Sequence, residues 1–249
     1  MSEGRIAGVI GLGSMGMGAA RSLVAAGIET WGTDVRAESV EDFVANGGKG
    51  AANPAELASK VDALLVLVVN AAQTESVLFG ETGAVKHMKK GAVVVASSTV
   101  PAAYARELEG RLAEHGLLMV DGPVSGGAAK AATGELGDQA GPGSTVKTIN
   151  QLLAGVHIAA AAEAMALGIR AGVAPADLFE VISNSAGASW MFNNRVPHIL
   201  DGDYAPLSAV NIFVKDLGIV LETGKEDDSA VIKVFQKLAG IDLPEAKDG

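Results

Sequence analysis

The run Gly11-Leu12-Gly13-Ser14-Met15-Gly16 follows an apolar segment, Ile6 to Ile10, and opens a helical pattern that stops near Gly27. A G-x-G-x-x-G spacing in that context has a definite physical sense. The first glycine allows a tight turn, the second lets backbone approach a pyrophosphate, and the third permits close helix packing. The helix start then offers its N–H groups to the phosphates. Asp34 ends the next apolar segment, where a carboxylate accepts hydrogen bonds from a ribose 2′-hydroxyl. A dinucleotide, and NAD in particular, is the cofactor this pattern predicts.

The surrounding chain has the matching rhythm. Short β-branched runs at Ile6 to Ile10, Glu29 to Thr33, Leu64 to Val69, Ala92 to Ala96 and Leu117 to Val120 alternate with helical patterns, as βαβ units do. Val66, Val68 and Val69, like Val93, Val94 and Val95, lie in runs without polar alternation, which predicts parallel strands covered on both faces. From Ser144 onward the strand signals stop. Ser144 suits the N-cap of a long Ala-rich helix reaching Gly172, and helical patterns recur over Pro175 to Ser183 and Ala209 to Leu221. The expected fold is α/β: an N-terminal Rossmann parallel sheet (1–143) and a C-terminal all-α domain (144–249), joined by a long interdomain helix.

Composition narrows the partners. With 19 Lys and Arg against 29 Asp and Glu, the chain has a net charge of −10, which repels a phosphate backbone and argues against nucleic acid. The absence of cysteine excludes disulfides and thiolate chemistry and fits a cytoplasmic home. The four histidines lack metal-site spacing, so no metal is expected. The apolar run from Ala63 to Val69 is too short to span a bilayer, and Leu152 to Ala171 carries His157, Glu163 and Arg170, so no membrane association is expected either.

Polar groups gather where the later strands end: Asn70 and Gln73, then Ser97, Ser98 and Thr99, then Asp121 to Gly127. In an open parallel sheet that edge is the ligand crevice. Ser125, Gly126 and Gly127 offer a hydroxyl and backbone N–H groups suited to a carboxylate. With Ser144 as N-cap, Lys147 falls at the third helical position, where the helix dipole disfavours a cation. Together with burial, that placement lowers a lysine toward the range of a general base. Lys215 stands beside Asp216 and reads equally well as an ion pair.

Taken together, these motifs resemble the β-hydroxyacid dehydrogenase, or 3-hydroxyisobutyrate dehydrogenase-like, family. The segments that carry the likeness are Gly-Leu-Gly-Ser-Met-Gly, Ser-Ser-Thr-Val, Asp-Gly-Pro-Val-Ser-Gly-Gly, Gly-Ser-Thr-Val-Lys-Thr-Ile-Asn and Phe-Val-Lys-Asp-Leu. The resemblance implies that Lys147 is the catalytic base and that Ser125, Gly126 and Gly127 hold a substrate carboxylate. It places Gly11 to Gly16, Asp34, Val69, Asn70, Thr99 and Lys215 at the cofactor, and Asn150, Gln151 and Lys215 at the substrate. Gln151 stands where the family's Lys-x-x-Asn-Asn motif has its second Asn, and a longer amide suits a polyol. A sugar acid, L-threonate oxidised at its 2-hydroxyl, is the expected substrate; 3-hydroxyisobutyrate, or the reaction of a related β-hydroxyacid dehydrogenase or reductase, is the alternative, and a non-catalytic dinucleotide sensor a remote one. The family likeness also implies a homodimer or homotetramer.

The resemblance breaks off and resumes at Leu136–Gly137 and at Thr223–Gly224. At the first junction relatives continue through a strand, a helix and another strand, about 30 residues on ordinary element lengths. A discontinuity in the chain is therefore expected at both, with neighbouring Cα atoms farther apart than the roughly 3.8 Å of a trans peptide.

Overall fold

The computed structural model describes residues 5–124, 143–203 and 210–225, the last stretch with side chains over 214–223. Among them, six parallel strands form one sheet: β1 (Ala7–Ile10), β2 (Thr30–Thr33), β3 (Lys49–Gly50), β4 (Ala63–Val66), β5 (Val93–Ala96) and β6 (Leu118–Asp121). Their spatial order, β3-β2-β1-β4-β5-β6, reverses direction between β1 and β4, as in the Rossmann arrangement. Register pairing puts Thr33, Ile10, Val66, Ala96 and Asp121 in one row, so the residues that follow them share one edge. Helices α1 (Ser14–Ala25), α2 (Ala37–Ala45), α3 (Pro54–Ala58), α4 (Ala71–Phe79) and α5 (Ala102–Glu114) connect the strands.

Side-chain alternation sorts the strand residues onto two cores. Ile10, Leu64, Val66, Val94 and Ala96 face one cluster with Leu57, Leu78, Leu108 and Leu112; Val9 faces the other with Leu12, Ala20 and Phe43. Phe43 is fully buried, and a Cβ on Gly48 would lie 2.2 Å from its ring. Across the first face, α4 and α5 are clamped by polar groups: Arg111 grips Glu75 through two nitrogens at 2.7 and 2.9 Å, and the Tyr104 hydroxyl donates to Glu75 at 2.8 Å.

Two compact units emerge. Among the described residues, the first takes in 5–124, 143–150 and 210–212, the second 151–203 and 213–225. The long helix α6 (Gly143–Arg170) belongs to the first as far as Asn150 and to the second from Gln151. It ends as expected: Gly172 has φ +88° and the Val173 N–H donates to the Gly168 carbonyl at 3.1 Å. In the second unit α6 packs with α7 (Pro175–Ser183) and α8 (Trp190–Leu200), where Phe192 and Val196 meet Ala161 and Met165. By length and composition α6 would also cross a bilayer, although Ala161 and Met165 here serve a protein core.

Some expectations change. The short β3 was not anticipated, since Gly47 to Gly50 offer no β-branched residue. Strand β4 ends at Val66, and Val69, expected inside it, is 47% exposed in the turn that follows. At β6 Leu118 and Val120 also stand exposed, so among the described residues nothing covers this side of the sheet's end. Helix α8, unforeseen because of Pro197, starts from Ser189, whose hydroxyl accepts the Phe192 N–H at 3.0 Å. Helix α9 (Val210–Lys225) runs unbroken through Thr223 and Gly224, so the expected discontinuity is not found there. The Leu136–Gly137 junction lies outside the described residues.

Phe43→Ala should lower unfolding free energy by about 3–5 kcal/mol, read from the urea midpoint, because it empties the centre of the second cluster. A loss under about 1 kcal/mol would contradict this packing.

Candidate active site

Each glycine of the loop has a separate physical task. Gly11 has φ +93°, and a Cβ there would sit 2.5 Å from the Leu67 carbonyl oxygen. A Cβ on Gly16 would lie 1.7 Å from the Gly11 carbonyl oxygen, so only glycine allows α1 this close. Gly13 is different: its Cβ position meets nothing nearer than the Arg36 guanidinium at 3.8 Å, which leaves its backbone approachable. Helix α1, opening with Ser14 and Met15, has no capping side chain and no acidic residue in its first turn. Its N–H groups and dipole therefore suit a pyrophosphate, and the loop fits a dinucleotide on its own geometry.

Asp34 follows β2 at the same edge. Its side chain is 7% exposed and accepts the Leu12 N–H at 2.7 Å, the Arg36 N–H at 2.9 Å and Arg36 Nε at 3.1 Å. Burial works against ionisation, but the hydrogen bonds from Arg36 and Leu12 outweigh it and hold the carboxyl below its usual range. The acceptor is thus tied to the glycine loop and anionic at neutral pH. Arg36, the cation that the sequence sets two positions after Asp34 as the counterweight to NAD preference, is half exposed beside it and pairs with its carboxylate.

After β4, Asn70 caps α4 by accepting the Gln73 N–H at 2.8 Å, and the Gln73 side chain accepts the Val69 N–H at 2.8 Å. This reciprocal cap positions both expected cofactor contacts. The buried Thr74 hydroxyl donates to the Asn70 carbonyl at 3.0 Å and shares a hydrogen bond with the Ser98 hydroxyl at 3.2 Å, tying α4 to the end of β5. Ser97 and Ser98 are buried, while Thr99 is half-buried. The two serines thus belong to the buried end of β5, and Thr99 follows them at the same edge.

After β6 the start of α6 is docked. Ser144 was expected to cap this helix with its own hydroxyl; instead its N–H and Oγ both donate to the Asp121 carboxylate, at 2.7 Å each. Helix α6 already begins at Gly143, so Ser144 is inside it and Asp121 supplies the acceptor. Lys147 is half-buried one turn on, Asn150 exposed and Gln151 buried. Ser125, Gly126 and Gly127 lie outside the described residues.

In the second unit, Gln151 Nε2 donates to Asp216 Oδ2 at 2.6 Å, and Lys215 Nζ lies 2.9 Å from Asp216 Oδ1. The ion-pair reading of Lys215 is thereby met, and Asp216, 3% exposed, emerges as the shared partner of two expected substrate residues. Its adjacency to Lys215 was visible in the sequence, but its meeting with Gln151 spans distant segments. Among the described residues no group of His, Asp or Glu is arranged to hold a metal ion.

Gly16→Ala should weaken NADH binding at least about tenfold in a fluorescence titration, because the methyl displaces the loop. Gly110→Ala, where nothing lies within 4 Å of the added carbon, is the control and should bind normally. Equal affinities would refute the packing role of Gly16.

Known proteins share this architecture. The family model for the NAD-binding domain of 6-phosphogluconate dehydrogenase matches residues 6–168, and that for the NAD-binding domain of NADP-dependent 3-hydroxyisobutyrate dehydrogenase matches residues 141–237. The L-threonate dehydrogenase of Cupriavidus necator is 52% identical, over 95% of this chain and 97% of its own. That of Escherichia coli K12 is 48% identical, over 96% and 97%. The crystal structure of a Salmonella typhimurium protein named 3-hydroxyisobutyrate dehydrogenase superposes with TM-score 0.83 at 46% identity, covering 94% of this chain and 92% of that one. The alignment with the Cupriavidus enzyme runs over 291 positions, more than the 249 residues here, so that relative carries positions this chain lacks. With the glycine loop, the anionic Asp34 and likeness along the chain's length, this protein belongs to the 3-hydroxyisobutyrate dehydrogenase-like family and is an NAD-dependent hydroxyacid dehydrogenase.

Proposed function

We propose that the chain oxidises L-threonate at its 2-hydroxyl to the 2-oxo acid, with Lys147 as general base. The observation that carries the substrate assignment is the 45–52% identity, over at least 95% of the chain, to proteins named L-threonate dehydrogenase. NAD, when bound, supplies the hydride acceptor. The chain's own residues do the rest. Gly11 to Gly16 and Asp34 hold the dinucleotide, with Val69, Asn70 and Thr99 further along the same edge. Ser125, Gly126 and Gly127 bind the substrate carboxylate and so set which hydroxyl is presented. Lys147 Nζ takes the proton of that hydroxyl as the carbon is oxidised. Asn150, Gln151 and Lys215 are assigned to the remaining polar groups of the substrate, with the Gln151 amide oriented by Asp216.

The division of labour follows the expected domains: 1–143 for NAD, and 144–249 for substrate and for assembly as a homodimer or homotetramer in the cytoplasm. A second reading, oxidation of 3-hydroxyisobutyrate, is favoured by the likeness to the Salmonella protein that bears that activity in its name. NAD is expected over NADP because the Asp34 carboxylate repels an added 2′-phosphate, by roughly 4 kcal/mol per unit charge at about 4 Å and an effective dielectric of about 20 before screening.

Steady-state assays on L-threonate, D-threonate and 3-hydroxyisobutyrate with each cofactor test the reading. The highest kcat/KM is expected for L-threonate with NAD; a clear preference for 3-hydroxyisobutyrate would move the protein to the second reading. Lys147→Ala should cut kcat by about 100-fold to 10,000-fold with NADH affinity retained. Turnover within a few-fold of the parent would remove Lys147 as the base.

A further inference from the structure

The carboxylate of Asp121 belongs to none of the roles assigned so far, yet both of its oxygens are committed. Oδ2 accepts the Ser144 N–H and Oδ1 accepts the Ser144 hydroxyl, each at 2.7 Å. The Ser144 N–H is one of the groups at a helix start with no partner inside the helix, and the aspartate satisfies it with a charge that complements the dipole. Two charge-assisted bonds from one residue to one carboxylate fix orientation as well as distance.

Both sides of this contact are held. Asp121 pairs with Ala96 in the sheet register, and the next residue, Gly122, donates its N–H to the Ala96 carbonyl at 3.1 Å. On the helix side, a Cβ on Gly143 would lie 2.2 Å from the Asp121 carbonyl oxygen and 2.8 Å from Pro123 Cδ, so this approach is open to glycine. Ser144 is 1% exposed, and the buried Thr148 hydroxyl donates to the Ser144 carbonyl at 2.8 Å, spanning the turn that carries Lys147. A rigid chain of contacts therefore runs from β5 through Asp121 to the residue beside Lys147.

We propose that Asp121 is a positioning residue for Lys147: its carboxylate clamps the start of α6 to the end of β6 and so sets the height and rotation at which Lys147 meets the sheet edge. The proposal rests on the reading of Lys147 as the base. A half-buried capping aspartate with no such role would cost stability alone. A positioning role costs turnover in an enzyme that still folds and binds its cofactor, because small misplacements of a reacting group are expensive in rate.

The test compares Asp121→Ala, Asp121→Asn, Ser144→Ala and Lys147→Ala in the full-length protein, on whichever hydroxy acid the parent oxidises fastest. Asp121→Ala should lower kcat by about 10-fold to 100-fold while the Kd for NADH stays within about twofold. Asp121→Asn, whose amide oxygen still accepts the Ser144 N–H, should recover most of that loss. If Asp121→Ala does not fold, Ser144→Ala decides, since it removes one of the two bonds and should lower kcat at unchanged NADH affinity. Parent-like kcat in Asp121→Ala or in Ser144→Ala, an Asn variant no better than Ala, or loss of NADH affinity in step with kcat would overturn the proposal. Parent-like turnover in Lys147→Ala would instead sink the base assignment and this proposal with it; an inactive Lys147→Ala beside a fully active Asp121→Ala would sink the clamp alone.

Discussion

Helix α1 begins where it does because residue 16 has no side chain. With a Gly16 Cβ position only 1.7 Å from the Gly11 carbonyl oxygen, the turn after β1 and the first turn of the helix pack backbone to backbone. That contact starts α1 directly after the turn, with no side chain capping the N–H groups of its first turn. It also brings the Leu12 N–H onto the Asp34 carboxylate, so the two parts of the proposed cofactor site are built on one loop. Any larger residue at position 16 would separate them.

The same edge recurs strand by strand. Because the parallel register aligns Thr33, Ile10, Val66, Ala96 and Asp121, each following turn delivers its polar groups to one line. A separate local device holds each delivery: the reciprocal cap of Asn70 and Gln73, the Thr74 to Ser98 hydroxyl pair, and the Asp121 clamp on Ser144. A protein of net charge −10 that handles an anionic cofactor and an anionic acid relies on such local donors, since its overall field is unfavourable.

Much of this was legible in the residues because the signals are short in range. The glycine spacing, Asp34 after an apolar run and the Gly172 helix stop all act within a few residues of themselves, and the structure agrees at each. What escaped depends on residues distant in sequence. Ser144 reads as a cap because serine favours that position, but a carboxylate 23 positions earlier displaces it. Asp216 reads as the partner of its neighbour Lys215, and only the fold shows that it also binds Gln151. Strand β3 is too short and too rich in glycine to signal itself, and Leu118 and Val120 of β6 stand exposed among the described residues although their apolar run implies cover on both faces.

Oxidation at one chosen hydroxyl of a small acid is the claim on which the roles of Lys147, the glycine loop and the sheet edge converge. Deuterium placed at carbon 2 of L-threonate, with the reduced cofactor then examined by mass spectrometry, addresses it directly. The expected result is transfer of the label to NAD, giving deuterated NADH and a primary isotope effect on kcat/KM. Unlabelled NADH from that substrate, with label transferred only when it is placed at another carbon, would contradict it.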